Sequence, residues 1–449
     1  MFAAKKLSSV MTQKPTFKEA LRFWVKLGFI SFGGPAGQIA IMHEFLVDKK
    51  KWISDSKFLH ALNYCMVLPG PEAQQLATYI GWMLHGTIGG LAAGILFVLP
   101  SMFILLGLSA VYVSFGNVPL VYAMFGGLKP AVIAIVLLAL IKIGKKSLLS
   151  PFHYVVAAAA FICIFFLNIP FPLIIVGAII MAGITRKFFP FLFVTGNNKS
   201  TEKEVDESSY YINKNTQVEG IGFNPHRFWK QIGTGVVLWT VSLATFYFFT
   251  SDFAFWKQLA FFFTQAALVT FGGAYAVLPY VAQVSVEKFH WLSNLQMIDG
   301  LALGETTPGP LIMILVFVGF MAGYNRFDHS IAMGSLGLVA TTFYTFLPCF
   351  LFIFIGAPLI ERTQENKTIK QVLSLVTAAV VGVVLNLSIY LGKAVLFPKE
   401  FSFPGFDIVS FVWIVISFLA MYRFKIGMIT WILVSAVFGM IRYLLEQGL

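Results

Sequence analysis

Charged residues are scarce in this sequence. They make up 12% of its 449 residues, about half the share of an ordinary soluble domain. A water-soluble globule could not cover its surface with so little polarity, so that class is excluded. Cysteine is scarcer still. Cys65, Cys163 and Cys349 all fall in apolar runs and share no ligand spacing. That excludes a disulfide framework or a cysteine metal centre, and predicts small buried hydrophobes. Enzyme signatures are missing too. His43-Glu44 opens a zincin-like pattern, but position 47 is Val where the second His is required. No Walker A run or dinucleotide fingerprint occurs. The sequence therefore predicts no ATP-driven pump, no enzyme, no metal and no cofactor.

Apolar residues dominate instead. Hydrophobic residues are 58% of the chain, Phe alone numbers 48, and mean hydropathy is +0.81. A bilayer-spanning helix needs roughly 20 apolar residues. Candidates lie at 20–47, 58–84, 88–112, 119–141, 152–168, 170–185, 232–250, 257–284, 294–323, 331–356, 371–391, 405–421 and 426–445. The predicted fold is an all-α polytopic membrane bundle. Residues 1–22 carry Lys5, Lys6, Lys14, Lys18 and Arg22 without the short apolar core of a cleavable leader. The net charge of +12 could suggest nucleic acid. The basic residues sit between apolar segments, however, which is a topology signal. The lipid bilayer is the predicted partner, and nucleic acid is not.

The chain repeats itself. Phe32-Gly33-Gly34, Trp52 and Pro69-Gly70-Pro71 recur as Phe271-Gly272-Gly273, Trp291 and Pro308-Gly309-Pro310, each 239 residues on. Over 32–71 a gapless comparison gives 11 identities in 40, where composition alone gives roughly two to four. Leu99-Pro100 recurs as Leu347-Pro348 at an offset of 248. Predicted units are an N-terminal repeat (1–190), a polar linker (191–230), a connecting helix (231–256) and a C-terminal repeat (257–449). The stretch 186–230 is polar and poor in aromatics, and predicts a disordered loop. One extra crossing between equal halves would turn the second upside down, the inverted-repeat plan of secondary transporters. With a cytoplasmic N-terminus, and 20–47 and 58–84 returning to their own side, 24 of the 32 Lys and Arg fall inside and 6 outside. If those segments cross, the split is 20 to 10.

Gly33-Gly34-Pro35, Pro69-Gly70-Pro71, Gly272-Gly273 and Pro308-Gly309-Pro310 interrupt otherwise continuous apolar segments. Glycine permits a sharp break, and proline suits the first turn of the next helix. Unwound backbone is tolerated at membrane depth only where protein or water satisfies it. Helix N-termini carry partial positive charge and free N–H donors. Four such ends brought together would cage a small oxyanion. A packing kink is the plainer reading of any one break. Gln38, Gln74 and Gln75 add amides and Thr306 and Thr307 add hydroxyls. Glu72 and Glu305 flank the two Pro-Gly-Pro motifs, and either carboxylate could couple transport to protons. Lys129, before Pro130, could offset substrate charge or snorkel to an interface. Its repeat partner is Thr377. Gly90–Gly94, Gly300–Gly304 and Gly319–Gly323 have helix-contact spacing, which predicts internal packing more than a homodimer face.

FGGPAGQIA (32–40), Glu44, Trp52, LPGPEAQQLATYIG (68–81) and GGLKPAVIA (126–134) resemble the chromate ion transporter family, in its long two-domain form. FGGAYAVLP (271–279), Trp291 and TPGP (307–310) resemble that family's second signature. The resemblance spans nearly the whole chain except 186–230. Many relatives carry His where this chain has Gln38. The resemblance implies an inner-membrane carrier for chromate, with sulfate as the alternative oxyanion. The expected function is efflux conferring chromate resistance, driven by an ion gradient through rocking of the two halves. An anion channel and a membrane-embedded reductase are the rival classes.

Overall fold

The computed structural model describes residues 14–116, 118–188, 207–213, 216, 224–360, 367–398 and 405–447. Sixteen α-helices build the described chain, and its one β pairing there is a bridge between Ile53 and Ile212. The protein is an all-α, multi-pass membrane protein. Among the described residues, seven helices are long and apolar enough to cross a bilayer. Their outer faces carry exposed Phe248, Phe249, Val236 and Val237, which water would not tolerate but lipid does.

The first half holds α1 (Phe17–Ile30), α2 (Gly34–His43), α3 (Asp55–Cys65), α4 (Glu72–Phe115), α5 (Pro119–Ser147), α6 (Pro151–Phe165) and α7 (Phe171–Phe188). The connecting helix α8 is Pro225–Phe249. The second half holds α9 (Phe253–Leu268), α10 (Ala274–Gln283), α11 (Asn294–Thr306), α12 (Ile314–Arg326), α13 (Ile331–Ile360), α14 (Lys367–Leu396), α15 (Ile408–Tyr422) and α16 (Met428–Glu446). Local sequence sets these bounds. Thr16 with Glu19, and Ser293 with Gln296, form capping boxes, while Pro119, Pro151 and Pro225 open helices where a missing N–H costs nothing. The long helix α4 is kinked at His85 (φ −138°) and Gly86 (φ +66°), so its second arm matches α13. The repeat extends to irregularities. Both halves carry a π-helical turn after the broken helix, at Glu44–Lys49 and Val284–Lys288, and Lys51 and His290 share φ +51°.

The segments 20–47 and 58–84 return to the side they enter from. Phe23 of α1 stacks on Phe45 at 4.0 Å, and the His85 ring donates to the Pro15 carbonyl at 2.9 Å. Residues 15, 45 and 85 therefore share one face. In the second half, Arg326 at the end of α12 pairs with Asp252 at the start of α9 at 2.6 Å, and Phe255 packs on Trp291. The four segments 20–47, 58–84, 257–284 and 294–323 are hairpins of paired half-length helices.

The halves are inverted. The C-terminal end of α5 (Lys142, Ser147) shares a cavity with the N-terminal part of α14 (Ser374, Thr377). The N-terminal end of α5 (Tyr122, Ala123) shares another with the C-terminal end of α14 (Ala394, Val395). These repeat-equivalent helices thus run antiparallel. The terminal helices are exchanged between halves: α6 and α7 pack on α14, while α15 and α16 pack on α5. Such contact needs small residues. A Cβ on Gly127 of α5 would meet the Ser435 carbonyl of α16, and one on Gly382 of α14 would meet the Ala157 carbonyl of α6. The predicted glycine pairs also face inward: Gly90 meets Phe354, Gly300 meets Phe317 and Gly319 meets Thr341.

The linker differs from the expectation of a disordered loop where it is described. Tyr211 and Ile212 donate backbone N–H groups to the Lys51 and Trp52 carbonyls, and Ser56 donates to Glu207 at 2.5 Å. The apolar Ile212, buried among Trp52, Ile53 and Phe58, explains the order. Residues 189–206 lie outside the described part.

Candidate functional site

Six glycines at the breaks have positive φ: Gly33 (+85°), Gly34 (+70°), Gly70 (+124°), Gly272 (+78°), Gly273 (+97°) and Gly309 (+103°). L-side chains rarely adopt such backbone, so the breaks depend on glycine. Two reciprocal bonds tie the halves. Gly70 N–H donates to the Thr270 carbonyl at 2.7 Å, and Gly309 N–H donates to the Ser31 carbonyl at 2.8 Å. These pairs are exchanged by the repeat offset, as a two-fold axis requires.

Of the amides and hydroxyls singled out in the sequence, Gln38 serves this crossing and the others bond within their own segments. Gln38 donates to the Gly309 carbonyl at 2.5 Å, and Gln75 donates to the Pro69 carbonyl at 2.7 Å. Gln74 donates to Thr78 at 3.1 Å. Ser101 donates to the Pro308 carbonyl at 2.6 Å, and Thr306 and Thr307 both donate to the Leu303 carbonyl. Pro310 precedes a short 3₁₀ turn, Leu311–Met313.

Three helix N-termini meet in one cavity of about 530 Å³. Pro35 and Ala36 of α2, Glu72 of α4, and Gly273, Ala274 and Tyr275 at the head of α10 line it, together with Gly272. None of these three helices has a side-chain cap, and Pro71 caps α4 without a donor or acceptor side chain. Pro35 has no N–H and the Ala276 N–H is taken by the Gly273 carbonyl, but the remaining first-turn N–H groups meet no side-chain acceptor and can serve a ligand. Each end contributes about half a positive charge. Lys142 and Lys146, four residues apart on α5, stand in the same lining. The fourth end, after Gly309, is absent from the lining and packs on Ser101. Glu305 is buried beside this site and accepts a hydrogen bond from the Tyr275 hydroxyl at 2.6 Å. The arrangement offers backbone donors and cations to an anion, with two carboxylates nearby.

Lys129 lies elsewhere. It lines a separate cavity of about 220 Å³, and Lys142 is about 20 Å further along α5 at 1.5 Å per residue. Lys129 pairs with Asp299 of α11 at 3.5 Å, under the Tyr122 ring. Sequence reasoning missed Asp299, Tyr275, Lys142 and Lys146. An acidic residue inside the apolar segment 294–323 was the available signal for Asp299. The four-residue spacing on a helix continuing past 141 was the signal for the lysines.

The family described as Chromate transporter matches residues 18–184 and 257–440. A chromate transport protein of Cupriavidus metallidurans is 26% identical over 398 residues, covering 84% of this chain and 83% of that protein. A chromate transport protein of Pseudomonas aeruginosa is 30% identical over 368 residues, covering 80% and 77%. An uncharacterized transporter of Methanocaldococcus jannaschii is 25% identical over 419 residues, covering 93% and 92%. No solved structure matches the chain.

Proposed function

We propose, because this chain belongs to the chromate transporter family, that it carries chromate out across the plasma membrane by an ion-gradient-driven cycle and so confers chromate resistance. One observation carries the assignment of the site: three uncapped helix ends and two lysines around one cavity at the crossing of inverted halves. Chromate near neutral pH is a tetrahedral dianion. Three helix ends supply about one and a half positive charges, and the lysines raise the local anion concentration. Lys142 and Lys146 belong to the face of the N-terminus, proposed to be cytoplasmic, so the cavity would load from inside. Outward movement fits the electrical gradient. A membrane potential is worth about 2.3 kcal/mol per charge per 100 mV, so an inside-negative cell expels a dianion with about 4.6 kcal/mol per 100 mV.

Helix ends and lysines read shape and charge rather than the central atom. Sulfate has nearly the size and charge of chromate, whereas chloride is monovalent. In inside-out vesicles, excess sulfate is expected to suppress chromate uptake roughly in proportion to its concentration, while equal chloride leaves most of it. Indifference to sulfate, with strong block by chloride, would contradict a pocket for tetrahedral dianions.

A further inference from the structure

Asp299 sits about one and a half turns inside α11 and is 4% exposed. Its Oδ2 accepts a hydrogen bond from the Tyr112 hydroxyl of α4 at 2.9 Å. Its Oδ1 has no hydrogen-bond partner, and faces the Lys129 ammonium at 3.5 Å. A buried ion pair repays its desolvation only with excellent geometry and every remaining lone pair satisfied. This pair has neither, so its charge separation is weakly held. It also bridges the two halves without a counterpart across the two-fold axis. The repeat-equivalent residues of Asp299 and Lys129 are His60 and Thr377, so the fold itself does not require an ion pair here. Lys129 further lines a cavity whose wall includes exposed Tyr122 and Glu446, at the face opposite the lysine-lined mouth. The cavity thus leads from the ammonium to that exposed face.

We propose that Asp299 carries the coupling proton, taking it up in exchange for its contact with Lys129 and releasing it when the contact reforms. This rests on the transport reading above. A proton from the aqueous phase beyond Lys129 adds to the carboxylate, giving a neutral acid, and leaves by the reverse step to the other phase. Lys129 stays an ammonium throughout. Other groups around the pair are accounted for. Tyr112 is the hydrogen-bond donor from α4, and α12 meets the Tyr112 ring through the apolar Phe317. From α15 and α16, Asp407, Arg442 and Glu446 form their own cluster, with Arg442 bonded to both carboxylates at 3.1 and 2.8 Å; Tyr443 shares their wall. From α14, Tyr390 and Lys393 line a different cavity with Glu287. Asp299 therefore stands alone as the carboxylate against Lys129. Because α11 belongs to a re-entrant hairpin and Lys129 to a crossing helix, gain or loss of this contact alters how hairpin and scaffold are tied.

The test uses proteoliposomes of the full chain with the membrane potential clamped at zero. Chromate counterflow, with chromate on both sides, reads anion translocation alone. Accumulation under an acidic interior reads exchange against protons. The wild type is expected to show both. Asp299→Asn should keep counterflow within about threefold of wild type yet accumulate no chromate above equilibrium, and Asp299→Glu should restore accumulation. Wild-type accumulation in Asp299→Asn overturns the proposal. So does wild-type counterflow that no pH gradient can drive. Loss of counterflow and accumulation together, in a protein that remains monodisperse, makes the pair a structural tie and also overturns it. If Asp299→Asn does not fold, Lys129→Gln combined with Asp299→Asn removes both charges and is judged by the same readings. A wild type with no chromate flux at all removes the transport reading, and this inference with it.

Discussion

Ala36→Asp is expected to abolish chromate transport while leaving the protein as stable as before, or slightly more so. Ala36 stands in the first turn of α2 and lines the proposed anion cavity. An acidic residue there complements the helix N-terminus, worth about 0.3–1 kcal/mol in favour of folding. The same charge confronts a dianion. At a separation of ~5 Å and an effective dielectric of about 20, one negative charge against two costs roughly 6–7 kcal/mol. That corresponds to a loss of four orders of magnitude or more in affinity. Ala36→Asn, nearly isosteric and neutral, should lose far less. Thermal unfolding in detergent checks the first half of the expectation, and chromate uptake by both variants checks the second. Equal activity of the Asp and Asn variants would place the anion elsewhere.

Gly70→Leu is expected to eliminate transport by a different route. Gly70 has φ +124°, outside even the left-handed region that other residues visit. A Cβ there would stand 2.8 Å from the Gln75 amide nitrogen and 2.9 Å from the Cys349 sulfur. The peptide must rotate, and the Gly70 to Thr270 bond that joins the halves is lost with it. Gly34→Leu, with φ +70° and open space around it, should strain the backbone less but place a leucine where α2 begins, with a partial to complete loss of activity. Gly177→Ala meets nothing within 4 Å in an unbroken helix and should leave uptake nearly unchanged. Uptake assays at matched protein levels decide. Normal transport by Gly70→Leu would make the break a packing kink.

Much of this architecture was legible because glycine and proline act locally. Gly33-Gly34-Pro35 and Pro69-Gly70-Pro71 mark breaks wherever they occur, and their recurrence 239 residues on revealed the repeat without any tertiary knowledge. Hydropathy located the spans but merged re-entrant pieces: 58–84 combined α3 with the first arm of α4, since a half-membrane helix is as apolar as a whole one. What stayed hidden was set by contacts between halves. Gln38, Gln74 and Gln75 looked like anion donors, yet their amide N–H groups bond to protein oxygens. Only the fold could show that Gly309 N–H meets Ser31 across the axis, or that Lys129 faces Asp299 rather than the breaks. The order at 207–213 was not legible because Tyr211 and Ile212 are few among many polar residues, and their partners lie more than 150 residues earlier.

Chromate movement driven by voltage tests the central claim most directly. Purified protein is reconstituted into liposomes, a potassium gradient is clamped with valinomycin, and entry of external chromate is followed. An interior-positive potential should produce accumulation well above empty liposomes, and an interior-negative potential should suppress entry below the zero-potential rate, because a dianion moves with its charge. Entry equal to that of empty liposomes at every potential, or entry indifferent to the sign of the potential, would contradict a carrier that moves a net negative charge through this cavity.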